Sequence, residues 1–246
     1  MKTLLLIPVH DERPHLPGLL ARLPAGADVL FVDDGSRDGG GELLEAWARG
    51  RPGAEVLRLP RNRGKSAALA LGLERVAERL GQGSLQPWDG VVLLDGDGQH
   101  PPEAALDLHA DLAARGLDML VACRDFVLYP PLKVLGNRLL TWQARLLSGF
   151  PWQDTQCGMR AFPAARAAEA VRALGAGRYC CEQELCVALP LWGWRVANDF
   201  PVRTQHYRSN STLRDAGRIF LAAWRSWARH RLRGRLPRAE PAVLGP

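Results

Sequence analysis

An α/β protein with a mainly parallel, doubly wound sheet and helices on both faces is the architecture the sequence predicts, and three observations carry it. Short runs dense in Leu and Val alternate with longer segments of helical period. The distances between successive runs suit βαβ units. Almost every run ends in a polar cluster, and open parallel sheets bind their ligands just beyond the carboxyl ends of the strands.

The first strand is expected at Leu4–Val9, followed at once by His10, Asp11 and Glu12. So short an apolar opening does not make a signal peptide, and the protein is expected in the cytoplasm. Further strands are expected at Val29–Val32, Val56–Leu59, Val91–Leu94 and Met119–Ala122. Helical period fills the gaps at Pro14–Leu23, Gly41–Arg49, Lys65–Leu80 and Pro102–Arg115. No apolar run reaches the roughly 18 residues of a membrane span. Of the 246 residues, 47% are hydrophobic and 24% charged, which excludes a disordered chain. Gly and Pro recur without a period, which excludes collagen-like and repeat architectures. The five cysteines are an odd number and crowd at Cys180, Cys181 and Cys186. They read as reduced, mostly buried thiols rather than a disulfide framework or a zinc site.

The strand ends carry the chemistry. Asp95-Gly96-Asp97 places two carboxylates one residue apart beyond a strand, a pattern that can hold a hard divalent cation, with Gln99 or His100 as further ligands. Alternatively the aspartates cap turns and helices. Asp33-Asp34-Gly35-Ser36 offers carboxylates to a ribose or base, or caps the helix after it. Gly64-Lys65-Ser66 lacks the earlier glycine of a phosphate loop, since Leu59 stands there. Asn62 and Lys65 can instead help hold a nucleotide at a helix start.

Taken together, Ile7-Pro8-Val9-His10-Asp11-Glu12, Val32-Asp33-Asp34-Gly35-Ser36, Asn62-Arg63-Gly64-Lys65, Asp95-Gly96-Asp97-Gly98-Gln99-His100-Pro101 and Asp154-Thr155-Gln156-Cys157-Gly158-Met159-Arg160 resemble an inverting family 2 glycosyltransferase of the GT-A fold. Within it the chain is similar to the dolichol-phosphate mannose and polyprenyl-phosphate sugar synthase branch. The resemblance spans roughly Leu4 to Leu213. It implies a nucleotide-sugar donor, GDP- or UDP-linked, and a lipid-phosphate acceptor, or else a glycan or other hydroxyl. It implies Mg²⁺ or Mn²⁺ on Asp95, Asp97 and Gln99. Pro8, Asp11, Glu12, Asp33, Asp34, Lys65, Asp95 and Gly96 would bind the donor, helped by Arg208 and Ser211 in a loop where Thr212 replaces an expected lysine. Arg124, Arg138, Arg160 and Glu182 would face the acceptor, and Glu184 completes an acidic pair with Glu182. Asp97, Asp154, Arg124 and Arg138 would do the chemistry. An ionised phosphate acceptor needs no strong base, whereas a hydroxyl would need one, with Asp154 or Glu182 as candidates.

The net charge of +6 is uneven. From Arg203 onward there are ten arginines against Asp215 and Glu240, which points to an acidic surface as partner. The expected division is a catalytic domain at 1–211 and a basic amphipathic helix with a tail at 212–246. On that helix Phe220, Leu221, Trp224, Trp227 and Ala228 share one side, flanked by Arg218, Arg225 and Arg229. Such a helix lies in an anionic membrane interface or packs on its own domain. A nucleic-acid-binding module would leave the acidic sheet edge unexplained, because carboxylates repel phosphates unless a cation intervenes. A sugar-nucleotide pyrophosphorylase would want a basic glycine-rich loop where His10-Asp11-Glu12 stands.

Overall fold

The computed structural model describes residues 1–175, 179–204 and 212–232. Seven strands form one sheet: β1 (Thr3–Val9), β2 (Ala27–Asp33), β3 (Ala54–Arg58), β4 (Gly90–Leu93), β5 (Met119–Arg124), β6 (Arg160–Pro163) and β7 (Val196–Val202). The helices are α1 (Leu16–Arg22), α2 (Gly40–Ala48), α3 (Lys65–Gly81), α4 (Ala105–Ala114), α5 (Pro131–Ser148), α6 (Ala167–Ala173), α7 (Cys181–Leu191) and α8 (Leu213–Leu232). All five expected strands and four expected helices are present, with ends moved by one to three residues. The last of those helices opens with a 3-10 turn at Pro102–Ala104.

The strand order is β3-β2-β1-β4-β6-β5-β7. The chain winds outward from β1 to β3, then returns to place β4 on the other side of β1. That reversal makes a crevice between the carboxyl ends of β1 and β4, where ligands bind in such sheets. Leu4, Leu5, Leu6, Ile7, Leu30, Phe31, Val91 and Val92 are fully buried, as a central parallel sheet covered on both faces requires.

β6 departs from the expected parallel order. It runs antiparallel between β4 and β5, with Leu93 opposite Arg160 and Val121 also opposite Arg160. An antiparallel strand begins at the edge where its parallel neighbours end. The segment from Asp154 to Gly158, just before β6, is thereby delivered to the same sheet edge as Asp95.

The last helix packs on α5 and α7. Its inward residues are Ile219, Ala222, Ala223, Ser226 and His230, all buried, while Trp227 packs partly on the core and Leu221 and Trp224 are exposed. The buried stripe is therefore rotated away from the aromatic side that the sequence pattern favoured. Ala222, Ala223 and Ser226 at its middle leave room for α8 to pack on two helices at once. No helix among the described residues is long and apolar enough to cross a membrane.

Candidate functional site

A cleft of about 330 Å³ opens at the crevice between β1 and β4. Pro8, Val9, His10 and Glu12 line it from the end of β1 and the loop after it, Asp34 from just beyond β2, and Asn62, Gly64 and Lys65 from the loop that opens α3. Asp95, Gly96, Asp97, Gln99 and His100 come from the loop after β4, and Glu182 from the first turn of α7. The far wall is Arg124, Tyr129, Lys133, Asn137 and Gln156, with Tyr179 and Ile219 at the rim. A larger groove of about 710 Å³ lies by α1 and α2 at the opposite sheet edge, and Arg51 is the one charged residue among those lining it.

Lys65 stands at the centre of the cleft's electrostatics. Its ammonium hydrogen-bonds both Asp95 Oδ1 and Glu182 Oε1. Burial opposes its charge, but the two carboxylates outweigh burial and hold its pKa well above the ordinary value. The reverse holds for Asp95 and Glu182: burial raises each, and the Lys65 ammonium more than offsets it, so both stay ionised. His100 is buried beside them, which lowers its pKa, and its Nδ1 has no partner among the described residues.

Gly158 leaves room for the Asp95 carboxylate as it now stands. A Cβ there would lie 2.1 Å from Asp95 Oδ2. Asp97 accepts hydrogen bonds from the Gln99 backbone N–H at 3.0 Å and from the Gln99 side-chain amide. The Gln99 amide nitrogen thereby steadies the Asp97 carboxylate. Among the described residues no group of three His, Cys, Asp or Glu forms a ready-made cation cage. Mg²⁺ and Mn²⁺ take oxygen ligands, and Mg²⁺ ordinarily uses one or two carboxylates and completes its shell with substrate phosphates and water. The open Asp95 and Asp97 pair has the chemistry for a cation that arrives with a diphosphate.

The opposite wall is built on a second ion pair. Arg124 Nε donates to Asp154 Oδ2 at 2.6 Å and Nη2 to Oδ1 at 2.7 Å, while Nη1 reaches the Tyr129 hydroxyl at 3.2 Å. Burial works against the Arg124 charge, and Asp154 overcomes it, so its pKa is raised well above the usual range. Asp154 is itself completely buried and also accepts from Gln156 N at 3.2 Å. It orients Arg124 and does not line the cleft.

The structure thus sorts the expected site residues. Pro8, Glu12, Asp34, Lys65, Asp95, Gly96, Asp97, Gln99, Arg124 and Glu182 share the cleft. Asp34 spends both carboxylate oxygens on the Arg63 and Gly64 backbone N–H groups at 2.7 Å, fixing the loop that carries Lys65. Asp33 is turned away, binding Arg58 Nε at 3.1 Å and Ser36 N at 2.9 Å. Asp11 has a left-handed φ of 52°, is exposed, and accepts from Arg37 N at 2.7 Å outside the lining set. Arg160 is buried and donates to the Cys157 carbonyl at 2.6 Å and the Glu182 carbonyl at 3.3 Å, clamping the loop to α7. Arg138 is exposed on α5 and outside the lining set, because each helical step turns by 100° and the neighbouring Asn137 takes the inward position. Asp33, Asp11, Arg160, Asp154 and Arg138 are therefore not brought to the cleft wall as the sequence reading had them. Arg208 and Ser211 lie outside the described residues.

Sequence reasoning missed Tyr129, Lys133 and Gln156. The signal available for Lys133 was its i,i+4 spacing to Asn137, which puts the two on one face of a helix.

The sequence profile described as glycosyl transferase family 2 matches residues 5–148. An undecaprenyl-phosphate 4-deoxy-4-formamido-L-arabinose transferase of Aeromonas hydrophila is 31% identical over 208 residues, covering 81% of this chain and 56% of that protein. The protein of the same name from Pseudomonas aeruginosa PAO1 is 34% identical over 166 residues, covering 64% of this chain and 45% of its own length. The chain spans about half the length of the curated relatives it matches. Among solved structures, Mycobacterium tuberculosis glucosyl-3-phosphoglycerate synthase in complex with Mn²⁺, UDP-glucose and phosphoglyceric acid superposes with a TM-score of 0.64 at 17% identity, covering 93% of this chain and 79% of that one. Mannosyl-3-phosphoglycerate synthase from Rubrobacter xylanophilus gives 0.59 at 17% identity, covering all of this chain and 79% of that one. At these identities the likeness is one of fold, the GT-A fold.

Proposed function

From the premise that this chain belongs to glycosyl transferase family 2, we propose that it transfers a sugar, with inversion, from a nucleoside diphosphate donor to a phosphate on a polyprenyl lipid. The observation that carries the reading is the polarity of one cleft: carboxylates Asp95 and Asp97 on the β4 side, cations Arg124 and Lys133 on the α5 side. Asp95 and Asp97 would hold Mg²⁺ or Mn²⁺ together with the donor's phosphates. That cation would supply charge neutralisation for the departing diphosphate.

The chain's own residues do the rest. Asp34 fixes the loop after β3 so that Asn62 and Lys65 meet the nucleotide at a helix start. Arg124, oriented by Asp154, presents a permanent cation to an incoming phosphate. The acceptor phosphate, with its second pKa near 6, is about nine-tenths dianionic at neutral pH and attacks without help from a base. This suits a cleft in which Asp154 is engaged with Arg124 and Glu182 with Lys65. The names of the curated relatives favour undecaprenyl phosphate as the acceptor class. A hydroxyl acceptor is the second reading, in which Glu182, the one carboxylate of α7 in the cleft wall, would have to leave Lys65 to act as base.

We keep the division into a catalytic region at 1–211 and a basic segment at 212–246 as part of the proposal. The test is a panel of radiolabelled UDP- and GDP-sugars with Mn²⁺ or Mg²⁺, offered a short-chain polyprenyl phosphate or free sugars. Label moving into the organic phase with one donor supports the proposal. Label moving only to free sugars overturns the phosphate acceptor.

A further inference from the structure

The two sides of α5 have different fates. The inner side gives Lys133 and Asn137 to the cleft near its start and packs Leu140, Ala144 and Leu147 into the interior further along. The outer side carries Leu132, Leu135, Leu139, Trp142 and Leu146, each between 53% and 70% exposed. Their spacing alternates between three and four, so all five fall within about a quarter-turn of one another. Single exposed apolar residues are ordinary, whereas a contiguous stripe marks an interaction surface. Val127 and Leu128, just before the helix, are exposed as well, and the adjoining α8 exposes Leu221 and Trp224.

Charge selects the partner. The α5 helix contains Lys133, Arg138 and Arg145 and no carboxylate. On α8 stand Arg214, Arg218, Arg225, Arg229 and Arg231, with Asp215 as the one acidic residue. Asp215 is spent on the helix start, accepting from Thr212 N at 2.9 Å. A second copy of the chain would press one positive surface against another, which like-charge repulsion penalises. An anionic bilayer offers negative headgroups above an apolar interior, the complement of arginines around a Leu and Trp stripe.

We infer that the outer face of α5, with α8 beside it, docks the protein on an anionic phospholipid bilayer. The stripe from Leu132 to Leu146 enters the headgroup and acyl boundary, and the arginines meet lipid phosphates. The inference deepens the proposed lipid-phosphate acceptor, since Lys133 and Asn137 on the same helix then hold the cleft beside the lipid. A buried link joins the two: Gln183 donates to the Leu140 carbonyl of α5 at 2.8 Å and accepts from the cleft residue Gln156 at 2.7 Å.

Flotation of the full chain with vesicles tests this without donor or acceptor. Vesicles of phosphatidylcholine are compared with vesicles of phosphatidylcholine mixed with phosphatidylglycerol, at low and high salt. The expected result is flotation with the anionic vesicles at low salt and release at high salt. Leu135→Glu with Leu139→Glu should reduce partitioning at least about ten-fold, with circular dichroism and Tm unchanged because both side chains already face outward. Leu135→Ser with Leu139→Ser serves as the milder pair should the charged one disturb the helix. Wild type that stays with the lipid-free fraction overturns the inference, and so do folded variants that float as wild type does. A dimer in light scattering that the variants dissociate overturns it in favour of a self-interface. Flotation without any sugar transfer to polyprenyl phosphate would sustain the docking surface and count against the acceptor instead.

Discussion

Two ion pairs face each other across the cleft, and they are built differently. Arg124 and Asp154 meet through two hydrogen bonds, with Asp154 fully buried and Tyr129 closing the arrangement. Lys65 lies between Asp95 and Glu182 with a single flexible ammonium, and all three side chains keep some access to solvent. A planar guanidinium held bidentately is a fixture, whereas an ammonium is a point charge that can be exchanged for another. The wall proposed for the acceptor is therefore rigid before any ligand arrives. On the wall proposed for the donor, a carboxylate now neutralised by Lys65 can instead serve a divalent cation.

The sharpest way to break this contrast is to remove the fixture. Asp154→Ala leaves Arg124 buried without its partner, and breaking a buried pair costs roughly 3–5 kcal/mol. Thermal denaturation should show a large fall in Tm, and an unchanged Tm would mean that Asp154 is not holding the wall. Next in size is Lys133→Ala. Losing a charge-assisted hydrogen bond of about 1.5–3 kcal/mol should cut transfer to polyprenyl phosphate about ten- to a hundred-fold. Arg138→Ala, outside the cleft, should stay within about two-fold in detergent solution, a change of under about 0.5 kcal/mol. Equal losses would put both residues on the acceptor.

Removing the exchangeable charge should do less. Lys65→Met leaves Asp95 and Glu182 without their ammonium at a partly solvated site, costing on the order of 1–2 kcal/mol. Mn²⁺ should then raise the Tm of this variant more than that of wild type, because a dication compensates the two carboxylates. Equal responses would show that Lys65 and the cation do not share a place.

A gentler comparison lies along α7. Glu182 is kept ionised by Lys65, whereas burial pushes Glu184 up to about 7. The folded state retains a proton on Glu184 that the unfolded chain releases, so stability falls as pH rises from about 4.5 to about 7. Glu184→Gln keeps an oxygen for the Gly175 N–H and removes that slope, a change of about 2–3 kcal/mol between pH 5 and pH 8. Chemical denaturation at pH 5 and pH 8 reads it. A slope as steep in the variant would place the titrating group elsewhere.

The same two walls show what could be read from the sequence. Residues on the donor side follow directly from strand ends, and Pro8, Asp34, Lys65, Asp95 and Asp97 all reach the cleft as expected. Strand direction settles the sheet edge, and the turn after it has few places to put a carboxylate. Even there, Asp33 faces away while Asp34 faces in, because successive strand residues alternate. The acceptor side was harder. It depends on α5, which the periodicity reading passed over because its outer stripe and inner face are both apolar. It depends also on the antiparallel β6, which brings in Asp154 and Gln156 through a pairing no local pattern encodes. Gly136-Asn137-Arg138 was legible as a motif, yet choosing the charged residue over Asn137 missed the inward position by one helical step.

Calorimetry of UDP and GDP binding to wild type and Asp97→Asn, with and without Mn²⁺, tests the paired carboxylates as a cation site. One nucleotide should bind wild type much more tightly with Mn²⁺, and Asp97→Asn should lose most of this gain while its Tm is kept. Equal Mn²⁺-dependent affinity in the two proteins would contradict that site.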